Sequence, residues 1–426
     1  MLAHSPPLPL TVDYTSIDGI TAEDEEGILL ALEQHHRVRH LRLQLPVQNL
    51  RKLVMAIDEE FPILEYLIVY PWPTDSTVLM LPETLQALHL RHLMLGGLAC
   101  PIRPRLHPTA PGLVTLCLTI DHPSAYFQPN ILLQWISFMP QLENLHIDFK
   151  FPVPNRDVER QLTHTPIMTL PNLRLFAFRG VNSAYLEAIV CRITIPRLER
   201  LYIKLFKQLT FSVPCLGQFM ITENLRFDNA AIMFRDTQIY AGMSFHGVNT
   251  HAFRVWVDCW QLDWQISSAV QIFNGLSQAF SAVEHLTLQH EAHSQSPEEH
   301  NDVDRIEWRK LLGSFSNVKT LYIEDGLVEQ VSRCLRLEDG EPPLELLPEL
   351  QELSYDGSDD AGNAFAPVID ARKNAGRPVS LFYRGRKSSA PESSSKAPRS
   401  RRRAAKPGTA PKRERLNRGS STRTTE

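Results

Sequence analysis

The chain carries no paired-cysteine motif. Its six cysteines (Cys100, Cys117, Cys191, Cys215, Cys259 and Cys334) stand far apart and never form a C-x-x-C pair. That distribution argues against a zinc framework or a disulfide scaffold and leaves each thiol as a small apolar residue. No uninterrupted apolar run approaches the ~18 residues of a membrane helix, so no membrane association is expected. The opening Met1-Leu2-Ala3-His4-Ser5-Pro6-Pro7 has neither a basic segment nor a sustained apolar one, and no secretory signal is expected from it. Phosphate cradles of the G-x-x-x-x-G-K-[ST] or G-x-G-x-x-G type and the hydrolase elbow G-x-S-x-G are also missing. These absences together point to a cytoplasmic or nuclear protein with no cofactor.

Two weaker chemical signals fail on spacing. His290-Glu291-Ala292-His293, with Glu298, Glu299 and His300 nearby, puts its histidines three apart. A helical H-E-x-x-H zinc site needs them four apart on one face, so no metal is expected. Asp258-Cys259-Trp260 with His251 upstream offers a thiol and an imidazole, but no nucleophile signature surrounds the cysteine. Cys259 reads as structural, no catalytic residue is assigned, and the chain is expected not to be an enzyme.

Charge is unevenly spread. The chain has a formal net charge of −4. Residues 387–426 hold 12 Lys/Arg and 3 Asp/Glu, a net of +9, which leaves the remainder at −13. The acidic body argues against a repeat surface built for a nucleic-acid backbone. The tail is Ser-, Pro- and Arg-rich, with Leu416 as its one large aliphatic, and is expected to be disordered. Its clusters Lys396, Arg399, Arg401, Arg402, Arg403 and Lys406, then Lys412, Arg413 and Arg415, fit nuclear import or nucleic-acid contact.

What the chain has in abundance is one recurring frame, clearest in Pro140-Gln141-Leu142-Glu143-Asn144-Leu145-His146-Ile147. Apolar residues fall at relative positions 1, 4 and 6. The frame recurs from Val38, Leu64, Leu90, Leu113, Leu142, Leu173, Leu198, Val283, Val318 and Leu350, at spacings of 26, 26, 23, 29, 31, 25, 85, 35 and 32 residues. A unit of this length containing Leu-x-x-Leu-x-Leu is the signature of stacked leucine-rich repeats. The expected fold is α/β: a leucine-rich-repeat-like, ribonuclease-inhibitor-like right-handed solenoid over residues 1–386, its parallel sheet lined by helices.

Helices are predicted at Thr21–Leu32, over Leu50–Ile57, Ile131–Met139, Val181–Arg192, Ser268–Phe280, Asp304–Phe315, Leu327–Arg336 and Ala364–Asn374. A short strand is expected after the proline-rich start, near Leu10–Tyr14, and a last one at Val379–Tyr383. The 85-residue gap has room for two more units. There Ala230–Phe234, Gln238–Tyr240 and Phe253–Val257 read as irregular, hairpin-like strands within residues 206–265.

Strand side chains alternate with period 2. Positions 4 and 6 of each frame therefore point to the core, and positions 3 and 5 stack into a ladder on the opposite face. The candidate partner-binding residues on that ladder are Tyr66, Ile68, His92, Met94, Asn144, His146, Arg200, Tyr202, His285 and Tyr322. Aromatic and apolar groups at exposed sheet positions mark a protein-binding surface.

Three stretches carry a family likeness: Ser5-Pro6-Pro7-Leu8-Pro9-Leu10-Thr11-Val12, Thr21-Ala22-Glu23-Asp24-Glu25-Glu26 and Arg37-Val38-Arg39-His40-Leu41-Arg42-Leu43. With Leu81-Pro82-Glu83-Thr84 and Leu90-Arg91-His92-Leu93, they resemble the region following the F-box in F-box-domain proteins of mushroom-forming fungi. The likeness spans about residues 5–383. It implies a leucine-rich stack that selects substrates for a cullin ubiquitin ligase. A Skp-type adaptor is implied only where an F-box precedes Ser5, because the F-box itself is not in this sequence. The expected function is a monomeric, non-enzymatic protein-interaction scaffold. The alternative is a nuclear nucleic-acid- or chromatin-associated protein acting through its basic tail.

Overall fold

A computed structural model describes residues 8–71, 79–82, 85–99, 110–151, 167–181, 183–206, 213–223, 225–245, 252–259, 262–291, 305–336, 345–357 and 359–384. All belong to the compact unit Met1–Arg386. The segment predicted to be a disordered basic tail lies outside the described residues, as do His251, Trp260, His293 and His300.

The main sheet has 15 strands. They are β1 Leu10–Thr15, β2 Val38–Leu45, β3 Tyr66–Pro71, β4 His92–Gly96, β5 Thr115–Ile120, β6 Asn144–Phe149, β7 Leu175–Gly180 and β8 Arg200–Phe206. Next come β9 Asn229–Arg235, β10 Gln238–Ser244, β11 Phe253–Asp258, β12 His285–Glu291, β13 Thr320–Ile323, β14 Glu352–Tyr355 and β15 Ser380–Tyr383. The helices are α1 Ala22–Leu32, α2 Val47–Met55, α3 Pro129–Ile136, α4 Ala184–Val190 and α5 Pro214–Thr222. They continue with α6 Leu262–Gly275, α7 Ser277–Phe280, α8 Arg305–Gly313, α9 Val328–Leu335 and α10 Ala366–Asn374.

Each frame becomes a strand because its buried positions alternate. In β6, Leu145, Ile147 and Phe149 are buried while Asn144, His146 and Asp148 are half-buried on the other face. Leu142, the first member of that frame, closes the turn into the strand and is also buried. Helix starts follow ordinary capping chemistry. The Thr21 hydroxyl accepts the Asp24 N–H at 3.1 Å, and Glu23, Asp24 and Glu25 sit at the positive end of α1. Pro129 opens α3, where a missing N–H costs nothing. Leu50, Leu53 and Val54 form the buried face of α2. Side by side, α3 packs on α4, α4 on α5, α6 on α8 and α8 on α9.

Strands β1 to β8 pair in parallel, in sequence order. The order then inverts, with β11 next to β8, then β10, then β9, before β12 to β15 resume. β10 runs antiparallel to both neighbours, which lets β9 pair in parallel with β12. The irregular strands expected in this region are therefore real and hairpin-connected. They are also laid down in reverse. The region contains a helix as well, α5, which the sequence reading did not place. Predicted and observed helix ends differ by a few residues: α6 starts at Leu262 rather than Ser268, and α4 begins at Ala184 rather than Val181.

The core between sheet and helices is rich in rings. Tyr185 lies 4.6 Å from Phe149, centroid to centroid, and Trp308 lies 5.5 Å from Phe234. Among the described residues no helix is long and apolar enough to cross a membrane.

Candidate partner-binding face

The strand registers align the outward positions into rows that cross the sheet. One row runs His40, Tyr66, His92, Thr115, Asn144, Leu175 and Arg200. The next runs Arg42, Ile68, Met94, Cys117, His146, Ala177, Tyr202 and Arg254, then Gly242 and Ala231 of the inverted strands. Thr287 and Tyr322 extend it beyond β9. His285 is level with Asn229 on one side and Thr320 on the other. All ten candidate residues thus lie on one face of one sheet.

Their accessibility differs. Tyr66, His92, Met94, Asn144, His146, Tyr202, His285 and Tyr322 are half-buried, and Arg200 is exposed. Ile68 is only 5% exposed. It faces the expected side, but in register it is flanked by Arg42 and Met94, so it is packing rather than contact surface. Leu175 and Ala177, between the longer side chains of β6 and β8, are buried as well.

A third row was missed. Gln44, Tyr70, Gly96, Thr119, Asp148, Arg179 and Lys204 continue the period-2 alternation one step beyond position 5. Extending the same alternation along each strand would have found it. Trp256 and Tyr240 carry this row onto β11 and β10. No leucine frame marks those strands.

The rows have a distinct chemistry at each part of the sheet. Near β2 to β4, the Tyr66 ring lies edge-on to His40 at 5.9 Å and tilted against His92 at 5.5 Å. In the centre, Arg179, Arg200, Lys204 and Arg254 bring positive charge to the strands that carry Tyr202, Trp256 and Tyr240. Arg179 pairs with Asp148 at 3.2 Å and Lys204 with Asp258 at 3.3 Å. The Arg254 guanidinium lies 4.8 Å over the Tyr202 ring, and Trp256 sits 6.2 Å from Tyr202 and 5.2 Å from Tyr240. Toward β12 to β14 the face gains the acids Glu324, Glu352 and Asp356, Glu291 being paired with Arg235 at 2.7 Å and Arg384 lying over the Tyr322 ring. There the Tyr322 hydroxyl donates to Asp356 at 2.6 Å.

Burial shifts the ionisable groups of the centre. It holds the His146 imidazole below the usual histidine range, with Arg200 adding to the effect. It raises the Asp148 carboxyl, while Arg179, Lys150 and Lys204 pull the other way. Burial, with Asp148 adding to it, pushes the Cys117 thiol up to about 11. The Tyr240 phenol is likewise pushed up by burial to about 12.

Cys259 is buried, its Sγ 3.5 Å from the Val257 carbonyl, and burial pushes its thiol up to about 11. These are the surroundings of a packing cysteine. Among the described residues no group of three or more His, Cys, Asp or Glu side chains could hold a metal ion.

Fold and face together define an α/β protein with a large, mostly parallel sheet whose open side carries aromatic and charged side chains in register. Compared with known proteins, the chain matches no family model and no curated protein.

Proposed function

We propose that the chain is a non-enzymatic protein-interaction scaffold with the architecture of a leucine-rich-repeat-like solenoid, binding a protein partner on its open sheet face. What supports the reading most is the alignment of Tyr66, His92, Met94, Asn144, His146, Arg200 and Tyr202 in two adjacent rows over successive parallel strands. Rigid backbone at fixed spacing pre-organises such side chains, which lowers the ordering cost of binding. Tyr and Arg are also the residue types that anchor interfaces. The resemblance to the substrate-selecting region of F-box ubiquitin-ligase adaptors makes the partner a substrate, delivered through a Skp-type adaptor when an F-box is joined to this region.

The test is site-specific photocrosslinking in native extract. A crosslinker at Tyr66 or Tyr202 should capture the same protein, while one at Met55 on the helix side should not. Equal capture from both sides would overturn the reading. Reproducible turnover removed by Cys259→Ala would overturn its non-enzymatic part.

A further inference from the structure

We propose that the centre of this face binds an acidic protein segment, whose carboxylates pair with Arg200 and Arg254 beside the Tyr202 and Trp256 rings. The proposal rests on the protein-binding reading above and specifies the partner's chemistry.

Two guanidiniums on adjacent strands are left without an acidic partner among the described residues. Arg200 is exposed, and Arg254 stacks on Tyr202 instead of pairing. Two acids of the face are already taken, Asp148 by Arg179 and Asp258 by Lys204. Arg254 Nε is buried with no hydrogen-bond partner. With Nε shielded, the guanidinium held by the ring offers a carboxylate its terminal amino groups.

The side chains beside it are short. The residue opposite Arg254 on β10 is Gly242, and the one beyond on β9 is Ala231. The row therefore drops from a long side chain to short ones, with Gly242 already buried by its neighbours and Ala231 half-buried. Tyr240 and Met233, level with each other in the neighbouring row, border it. An extended segment lying along this row would meet Arg200 and Arg254 with its acids.

Charge limits the occupant to something short. Toward β14 the cationic centre gives way to Glu324, Glu352 and Asp356, with Glu291 paired to Arg235 and Arg384 over Tyr322, and the body outside the tail is net −13. A long polyanion such as nucleic acid needs a continuous positive track and would meet repulsion at that end. A segment with a few Asp or Glu residues fits the centre alone.

The experiment measures fluorescence anisotropy of a labelled short Asp/Glu-rich peptide on the full chain and on the Arg200→Glu/Arg254→Glu variant. Near-UV circular dichroism checks folding, and Arg200→Glu alone, at an exposed site, serves as the milder change. The proposal expects saturable binding that weakens with salt, falls about tenfold or more in the double variant, and falls measurably in the single one. Persistence of binding in the double variant would assign it to the basic residues 387–426 and overturn the proposal. No binding of the acidic peptide, equal binding of a Lys-rich counterpart, or tighter binding of a phosphoserine peptide or single-stranded oligonucleotide would also overturn it. Photocrosslinking from Tyr66 and Tyr202 reads the general protein-binding proposal separately, so either can fail alone.

Discussion

At the residue scale, the face depends on small side chains as much as on large ones. A Cβ built on Gly96 would stand 2.2 Å from Cδ2 of Tyr70, so the Tyr70 ring lies directly against this backbone. That position lets Lys150 Nζ donate to the Tyr70 hydroxyl at 3.0 Å, from a residue 80 positions away in sequence. Gly96→Ala should push the ring off the sheet, break that bond and cost about 1–3 kcal/mol by overpacking, measured by urea denaturation. His146 makes a pH argument of definite sign. Its folded pKa is depressed by burial and then by Arg200, so as pH falls the unfolded chain takes the proton first. The stability His146 contributes is complete above the ordinary histidine pKa of about 6.5 and is lost as pH drops through the depressed value. An NMR titration should place the His146 midpoint below that of free histidine, and His146→Gln should flatten the acid-side loss in thermal stability. Asp148 has the opposite sign. Its raised pKa makes its contribution complete in acid, below the ordinary carboxylate value, and lost as pH rises through the raised one.

At the element scale, α5 shows where sequence reading stops. The leucine frames made the strands legible, because each requires a fixed alternation of buried and open positions. The outward candidates consequently share one face of the sheet. Ile68 did not behave as surface, because exposure depends on the lengths of cross-strand neighbours, which a single strand's pattern does not contain. α5 hid because its turns carry no regular polar stripe and Gly217 sits mid-helix. A Cβ there would approach the Gly275 carbonyl of α6 to 3.0 Å, so the glycine answers a helix approach that local propensity cannot reveal. The start of α5 is also held from outside. Glu187 on α4 accepts the Cys215 and Leu216 N–H groups at 2.7 and 2.9 Å, supplying a cap that Val213 lacks. Glu187→Ala should therefore cost about 1–2 kcal/mol and raise amide exchange first in α5, whereas Glu187→Gln should keep part of both. Equal exchange in α5 for wild type and Glu187→Ala would remove the cap from the account.

At the scale of the whole molecule, the inverted strands set how the sheet holds together. From β1 to β8 and from β12 to β15, each strand pairs with its sequence neighbours, so loosening one pairing leaves distant ones intact. Across the inversion the connectivity is different. β8 pairs with β11, β12 pairs with β9, and β10 bridges them through antiparallel ladders on both sides. Among the described residues the two runs of parallel strands thus meet through the three inverted strands β11, β10 and β9. Ile239 is buried near the start of β10, opposite Phe234 on one side and Val257 on the other. Ile239→Ala should cost about 2–5 kcal/mol, and hydrogen exchange should rise together in β8, β11, β9 and β12. Leu353→Ala, equally buried in β14, should loosen β13 to β15 while β8 keeps its protection. If Ile239→Ala raised exchange only within β9 and β10, the bridge would be a local hairpin added to an already continuous sheet. The charge division of the face has the same origin. The bridge carries Arg254, Trp256 and Tyr240 into the middle of the sheet, so the segment that joins the two halves also supplies the proposed acidic-segment site.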